Sequence, residues 1–238
     1  MSQAPNISLI SHFYNTHDCV NEQIEHWQQI NPQLNDLFEF ILVDDFSDAE
    51  YVLPKTDLNI RLFRITDDIP WNQGGARNLA TFHARGEVVL FIDIDQHIKI
   101  DFLERICVAA SNIKRDTIHF FKSNPPLLNI QNGQELNHHP NSFIVNLKDF
   151  KTHVHYDEDF AGHYGFEDIF LMRAWEKAGG KLTLINEDVS HNLNYGTRNL
   201  DRDIKRNQEL IQKKVFEESC KISPAMLRFS WKEVLARG

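Results

Sequence analysis

Short apolar runs alternate with helical patterns along the first half of the chain, and this alternation predicts the fold. Runs of mostly apolar residues predict buried strands, whereas apolar residues three or four positions apart predict helices. The predicted strands are 7–15, 38–48, 59–66, 87–95 and 116–123, and the predicted helices are 17–30, 74–86 and 101–113. Strands that alternate with helices indicate an α/β fold, in which helices cover both faces of a mostly parallel sheet.

The second half of the chain has a less regular pattern. The stretch "NPPLLNIQNGQELNHHPN" (124–141) is polar and rich in turn residues, which predicts a loop. Two strands at 142–147 and 181–186 and a loop that opens into a helix at 156–180 are also predicted. The tail is charged and amphipathic. The sequence therefore predicts an α/β domain over 1–198 and a helical extension over 199–238.

Composition narrows the class of protein. The 238 residues carry a net charge of −9, which argues against a general nucleic-acid binder, since phosphate contacts need Lys and Arg. The three cysteines, Cys19, Cys107 and Cys220, are an odd number without a CxxC motif, which is typical of a reducing compartment. The chain shows neither a signal peptide nor an apolar run of ~20 residues. We expect a cytoplasmic protein, with peripheral contact at the inner membrane face left open.

Carboxylates follow several of the predicted strands. Asp45 comes at the end of the second strand, and Asp93 and Asp95 end the apolar run "VVLFI" (88–92). Ligands of such sheets bind beyond the carboxyl ends of the strands, so these acids are candidate ligand contacts. Paired carboxylates suit a hard divalent cation such as Mg²⁺ or Mn²⁺, although acids are also common in solvated turns.

Other polar motifs have both a chemical and a structural interpretation. In "IPWNQGGARN" (69–78), Arg77 at a helix start suits an anion, but the spacing matches neither a dinucleotide fingerprint nor a P-loop. In "GFEDIFLMRAW" (165–175), Glu167 and Asp168 stand where the helix dipole favours acids in any case. His191 follows a strand and is either a third metal ligand or a structural histidine.

Taken together, these motifs resemble the family 2 type of glycosyltransferase with the GT-A fold, over roughly residues 7–195. The resemblance rests on "ISLISHFYN", "VDDFSD", "GGARNLA", "VVLFIDIDQHI" and "SHN" in this order. The most specific segment is "YDEDFAGHYGFEDIFLMRAW", which is similar to an element of the chondroitin polymerases and of galactosyltransferases. The resemblance implies transfer of a sugar from a nucleotide-sugar donor, most often a UDP-sugar, to a hydroxyl of a glycan or glycolipid acceptor.

The resemblance also assigns roles to individual residues. The donor-binding residues would be His12, Phe13, Asp45, Arg77 and Asp93, and the metal ligands for Mn²⁺ or Mg²⁺ would be Asp95, His191 and Asp93. On the acceptor side, Tyr164 and Glu167 would line the site. Asp168 would be the general base that takes the proton from the acceptor hydroxyl. A single displacement with this base would invert the anomeric centre.

Three other functions remain open from the sequence. A nucleotidyltransferase would need a glycine-rich loop after the first strand, and "SHFYNTHD" (11–18) contains no glycine. A non-catalytic module that binds nucleotide-sugars or glycans on the same fold, or a retaining transferase, would share the motifs named above. A bacterial cell-surface polysaccharide is the acceptor that the family resemblance favours.

Overall fold

A computed structural model describes residues 5–128, 135–193 and 200–234 of the chain. The described strands are β1 (Ile7–Phe13), β2 (Phe38–Asp45), β3 (Ile60–Ile65), β4 (Val88–Phe91), β5 (Gln96–Ile98), β6 (Thr117–Leu128), β7 (Glu135–Asn146), β8 (Lys181–Ile185), β9 (Ser190–Asn192) and β10 (Trp231–Val234). The described α-helices are α1 (His17–Trp27), α2 (Gln73–His83), α3 (Ile100–Val108), α4 (Leu147–His153), α5 (Glu167–Lys177) and α6 (Lys205–Gln212).

Eight of the described strands form one sheet in the order β10-β3-β2-β1-β4-β7-β6-β8. The central strands β3, β2, β1 and β4 run parallel, whereas β7 pairs antiparallel with both β4 and β6. Strands β5 and β9 form a separate two-stranded ribbon. The predicted α/β architecture with a mostly parallel sheet is confirmed.

The central strands β1, β2 and β4 are buried on both faces, which explains why most of their residues are apolar. Successive residues of β1 contribute to opposite cores, with Leu9 in one cluster and Ile10 in the other. Helix α1 covers the first face with Trp27, and helix α2 covers the second with Leu79. This packing fixes the carboxyl ends of β1, β2 and β4 beside one another, and that edge carries the candidate site.

The predicted loop at 124–141 is wrong for its described residues. Strand β6 continues to Leu128 and β7 begins at Glu135, so the two strands form a long antiparallel hairpin with Leu127 opposite Leu136. Residues 129–134 of the predicted loop lie outside the described residues. The hairpin is held by backbone pairing between neighbouring strands, which a polar and turn-rich composition does not reveal.

The C-terminal extension is helical only in part. Helix α6 continues into a π-helical turn at Lys213–Glu217, and the chain then becomes extended. Strand β10 pairs antiparallel with β3 and places Trp231 opposite Ile65 at one edge of the sheet. The predicted helix over the whole tail is therefore corrected, and the domain boundary at residue 198 stays a prediction. No helix in the described ranges has the length and apolar character needed to cross a membrane.

Candidate functional site

A pocket of about 640 Å³ opens at the carboxyl ends of β1, β2 and β4. Its lining combines residues near the ends of the strands with residues from three later segments, 69–73, 162–164 and 200–203. From the strand side the lining residues are His12, Phe13, Tyr14, Thr16, Cys19, Asp45, Asp68, Asp93, Ile94 and Asp95. From the loops they are Ile69, Pro70, Trp71, Gln73, Gly162, His163, Tyr164, Leu200, Asp201 and Asp203. The fold thus gathers most of the predicted site residues around one cavity.

Two polar side chains at the strand side of the pocket each carry a buried atom that has no hydrogen-bond partner among the described residues. Asp45 is only 8% exposed, and its Oδ1 atom has no partner. Burial raises the pKa of Asp45 to about 7. The Nδ1 atom of His12 is also unpaired, and burial together with the charge of Arg77 lowers the pKa of His12 to about 4. Both groups are therefore available to hydrogen-bond a polar ligand in the pocket.

Asp93 is held by a polar network behind the pocket. The guanidinium of Arg77 donates to Asp93 Oδ1 over 2.6 Å, and Nδ2 of Asn141 donates to Oδ2 over 3.4 Å. His139 Nε2 lies 3.7 Å from the same Oδ2 atom. Burial opposes ionisation, but the charges of Arg77 and His139 outweigh it and keep the pKa of Asp93 below its usual value. Asp93 is thus a fixed anion at the pocket wall.

Arg77 itself does not line the pocket, which corrects the role implied by the resemblance. Its side chain is only 1% exposed because the first two turns of α2 are buried against the sheet. In addition to Asp93, Arg77 contacts Tyr156, donating to its hydroxyl over 2.9 Å. The structure therefore places Arg77 as the internal counter-ion of Asp93, with no exposed face for a nucleotide.

Asp95 lines the pocket, and no described residue serves it as a counter-ion in the way that Arg77 serves Asp93. Burial and repulsion from Asp93 raise the pKa of Asp95 to about 6. A divalent cation beside this carboxylate would relieve both effects, and an oxygen ligand is what Mg²⁺ and Mn²⁺ prefer. The chemistry of Asp95 thus fits a metal bound by one carboxylate together with phosphate oxygens of a ligand.

The predicted third ligand, His191, lies elsewhere in the described structure. Strand β9 pairs with β5 so that His191 stands opposite His97, and the two rings meet edge to face with centroids 5.3 Å apart. Within 5–128, 135–193 and 200–234, no three His, Cys, Asp or Glu side chains are grouped to hold a metal ion. The structure therefore does not bring His191 together with Asp93 and Asp95.

The loop side of the pocket carries an aromatic pair. The rings of Trp71 and Tyr164 lie with their centroids 4.6 Å apart, and the Trp71 indole donates to the Asp201 carbonyl over 2.6 Å. Trp71 has a positive φ of 52°, a conformation that bulky residues rarely adopt and that is common at functional sites. This aromatic pair forms the wall of the pocket on the side predicted for the acceptor.

Glu167 and Asp168 begin α5 next to this wall but do not line the pocket. Gln73 donates to Glu167 Oε1, and the Ile169 backbone N–H donates to Asp168 Oδ1 over 2.7 Å. Burial and the charge of Asp168 raise the pKa of Glu167 to about 8, and burial also raises the pKa of Asp168. Burial thus raises the pKa of both adjacent carboxyl groups, and shifts of this kind are common among groups that exchange protons at functional sites.

Several site residues were not found from the sequence. Tyr156 and Asn141 contact Arg77, His139 lies beside Asp93, and Gln73 contacts Glu167. His139 and Asn141 fall in the stretch 124–141, which the sequence predicts as a loop. No local motif marks His139, Asn141 and Tyr156, because they reach the site through long-range contacts made by β7 and by the segment before α5.

Comparisons with known proteins agree with this geometry. Residues 8–119 match the family model described as glycosyltransferase like family 2. No curated protein sequence matches the chain at a significant level. Among solved structures, S. aureus TarS 1-349 in complex with UDP-GlcNAc is similar, with a TM-score of 0.65 and 16% identity over 89% of this chain and 67% of that one.

A second similar structure is GalNAc-T7 with UDP, GalNAc and Mn²⁺, with a TM-score of 0.60 and 15% identity over 82% of this chain. The present chain spans 45% of that GalNAc-T7 chain and 40% of the longer S. aureus TarS chain. These TM-scores establish that the chain shares the GT-A fold of these proteins. The sequence match at residues 8–119 covers a little under half of the chain and makes this part similar to the glycosyltransferase-like family 2.

Proposed function

We propose that the chain transfers a sugar from a UDP-sugar to a hydroxyl of a glycan acceptor, with a divalent cation and with inversion. The observation that carries this proposal is the pocket, which is lined by Asp45, Asp93 and Asp95 from the strand ends and by the aromatic pair of Trp71 and Tyr164, with Asp168 following that pair in the chain just outside the lining. A donor and an acceptor could therefore meet in one cavity. The similar structures of TarS, in complex with UDP-GlcNAc, and of GalNAc-T7, with UDP, support the choice of a uridine nucleotide.

The donor would occupy the strand side of the pocket. Asp45 Oδ1 would accept a hydrogen bond from the base, with His12 and Phe13 beside it, and Asp93 would reach the ribose or the donor sugar. Asp95 would hold Mn²⁺ or Mg²⁺ together with the diphosphate. The cation would supply charge neutralisation to the departing diphosphate when it is bound. His191 remains a proposed ligand that the described geometry does not support.

The acceptor would lie against Tyr164 and Trp71. Asp168 would take the proton from its hydroxyl as the oxygen attacks the anomeric carbon, and burial, which raises the pKa of Asp168, would make it a stronger base than an exposed carboxylate. Glu167, held by Gln73, would lie on the acceptor side next to this base. One displacement with one base gives inversion, so an NMR product analysis showing retained configuration would overturn this part of the proposal.

A thermal-shift panel tests the donor and the metal together. UDP, GDP, CMP and common sugar nucleotides would each be added with and without Mn²⁺, because a ligand at ~100 times its Kd stabilises by about 2.7 kcal/mol. We expect a UDP-dependent shift that needs Mn²⁺ and that is lost in Asp95→Asn. The matched control is Asp57→Asn, since Asp57 is an exposed acid away from the pocket.

UDP release then distinguishes the enzyme from a module that only binds. The wild type should release UDP from the best UDP-sugar, and Asp168→Asn should bind the donor but release far less UDP. If no nucleotide shifts the Tm of the folded wild type, the proposed donor site is wrong. If donor binds but neither protein releases UDP with any glycan acceptor tested, the non-catalytic module is the better description.

A further inference from the structure

The C-terminal segment contributes one fully buried polar side chain to the acceptor side of the site. Asn207 in α6 is 0% exposed, and its Nδ2 atom donates to the backbone carbonyls of Phe160, His163 and Gly165 over 3.0, 2.9 and 2.9 Å. Its Oδ1 atom accepts from Arg206 over 2.7 Å. Both ends of the amide are therefore engaged.

The three carbonyls belong to the loop at 160–165, whose backbone conformation does not allow a continuous helix or strand. Gly162, Gly165 and Phe166 all have positive φ values, of 91°, 85° and 76°, so the chain turns repeatedly before α5 begins. Backbone groups in such a loop need partners from outside it, because an unpaired buried carbonyl is costly. The Asn207 amide supplies the donor that a neighbouring strand or helix would otherwise provide.

This loop carries the acceptor side of the proposed site. Tyr164 lies within it and contributes to the aromatic wall, and Glu167 and Asp168 follow directly at the start of α5. A change in the loop would therefore move the wall and the proposed base together. A displacement of ~1 Å at a reacting group can cost about a hundredfold in rate.

Further contacts hold the same segment against this loop. Phe160, Phe166 and Phe170 form a small apolar cluster that is separate from the two sheet cores, and Leu210 of the C-terminal segment packs on it. Lys214, which is 4% exposed, pairs with Asp157 over 2.8 Å and with Asp159 over 2.9 Å. The donor side of the pocket is built on other elements, namely the ends of β1, β2 and β4.

We propose that Asn207 is a positioning residue for the transfer reaction, which fixes the loop at 160–165 so that Tyr164 and Asp168 face the acceptor. This inference rests on the proposed function, because it assigns the acceptor to that side of the pocket. On this proposal the two sides of the site depend on different elements. The ends of β1, β2 and β4 form the donor side, whereas the C-terminal segment holds the acceptor side in position.

The test compares Asn207→Asp with Gln208→Glu, an identical amide-to-acid change at the neighbouring exposed position of the same helix. The aspartate removes the donating NH₂ and faces three carbonyl oxygens with a carboxylate. The probe is the UDP-sugar that gives the largest thermal shift in the panel, with water as the acceptor. We expect UDP release to fall ~100-fold in Asn207→Asp, with an unchanged nucleotide-induced shift, and to remain at the wild-type rate in Gln208→Glu.

Hydrogen exchange supplies a readout that does not depend on turnover. Amides of 160–168 should exchange faster in Asn207→Asp than in the wild type, whereas amides of β1 and β2 should not change. If Asn207→Asp does not fold, Asn207→Ser takes its place, because a hydroxyl keeps one donor and should give a smaller effect in the same direction.

The outcomes separate this inference from the function on which it rests. A wild type that binds no nucleotide would overturn the proposed function and, with it, the role of Asn207 in turnover. A wild type that releases UDP, with an Asn207 variant that is equally active, would overturn the inference alone. Parallel loss of nucleotide binding and of protection in β1 would also overturn it, since Asn207 would then support the whole domain.

Discussion

Replacement of Arg77 by methionine tests the buried network behind the pocket. The change removes the cation that lies 2.6 Å from Asp93 Oδ1, and it leaves the Tyr156 hydroxyl without its donor. Breaking a buried ion pair by removing one partner costs ~3–5 kcal/mol, and the lower end applies here because Asp93 faces the pocket. For a chain of this size, about 3 kcal/mol corresponds to a Tm that is lower by ~6–12 °C.

A double-mutant cycle isolates the ion pair from the loss of packing. Asp93→Asn leaves Arg77 buried without its carboxylate. The double variant Arg77→Met with Asp93→Asn removes both charges of the pair. The double variant should therefore be more stable than the sum of the two single losses, by roughly 2 kcal/mol. The exposed pair of Arg61 and Glu233, with 3.0 Å between Nε and Oε1, is the control, and its coupling should stay below ~1 kcal/mol.

The stabilities of the wild type and of Arg77→Met should depend on pH in opposite directions. In the wild type the pKa of Asp93 is below its usual value, so the stability that its charge contributes is lost as the pH falls through that lowered pKa. Without Arg77, burial is opposed only by the weaker effects of His139, His12 and Asn141, and the pKa of Asp93 should rise. The penalty of Arg77→Met should then be largest near neutral pH and should shrink as the pH falls toward ~4.

Urea unfolding of the four proteins at pH 7.5 and at pH 4.5 measures both effects. Equal m-values would show that the variants expose the same surface on unfolding, so that differences in midpoint report stability. Single losses that add within ~0.5 kcal/mol in the double variant would refute the reasoning, since independent sites behave in that way. A penalty for Arg77→Met that grows at low pH would refute the assigned charge on Asp93.

Three further variants give independent predictions. Asp45→Asn should gain Tm relative to the wild type as the pH rises from 4 to 7 in a matched buffer series. The wild type loses stability over this range, because the Asp45 carboxyl ionises in the unfolded chain while burial raises its pKa to about 7 in the folded protein. An unchanged Tm difference would contradict the burial of Asp45. Asp168→Asn should keep the nucleotide-induced Tm shift and lose ~10²–10⁴-fold in UDP release, as measured by initial rates; wild-type rates would exclude it as the base. Gly86→Ala should lower the free energy of unfolding by ~1–3 kcal/mol, measured by urea unfolding followed by circular dichroism, because the new Cβ would lie 2.5 Å from the Ser8 backbone nitrogen; an unchanged urea midpoint would show that the two strands can separate there.

The parallel strands were predictable from sequence because each is buried on both faces. All eight residues of β2 are buried, and apart from Glu39 they are apolar until Asp44 and Asp45. The long hairpin of β6 and β7 was not predictable in the same way. Its distal part has a polar composition, and the pairing of Leu127 with Leu136 depends on where the partner strand lies. Strand β10 was missed for the same reason, since it exists through its pairing with β3.

The site was predictable where its residues follow a strand end and unpredictable where they approach from elsewhere. His12, Asp45 and Asp95 line the pocket because the carboxyl ends of parallel strands meet at one edge. Arg77 shares a helix start with glycines, a pattern equally consistent with an anion site or with burial. Only the packing of α2 decides between them, and it buries the guanidinium. Asn207 had no signal at all, because its partners are backbone carbonyls more than 40 residues away.

Asp93 and Asp95 differ in how their charges are compensated, and this difference separates their roles. Asp93 has a permanent counter-ion inside the protein, so its charge stabilises the fold whether or not a ligand is bound. Asp95 has a raised pKa and faces the pocket, so its charge is costly until a cation arrives. Neutralising Asp95 should therefore leave the stability of the ligand-free protein unchanged or increase it, while it abolishes the Mn²⁺-dependent shift. Neutralising Asp93 should lower the stability of the ligand-free protein. If both variants lose the same stability in the absence of ligand, the two carboxylates share one role, and the exchangeable cation does not belong to Asp95.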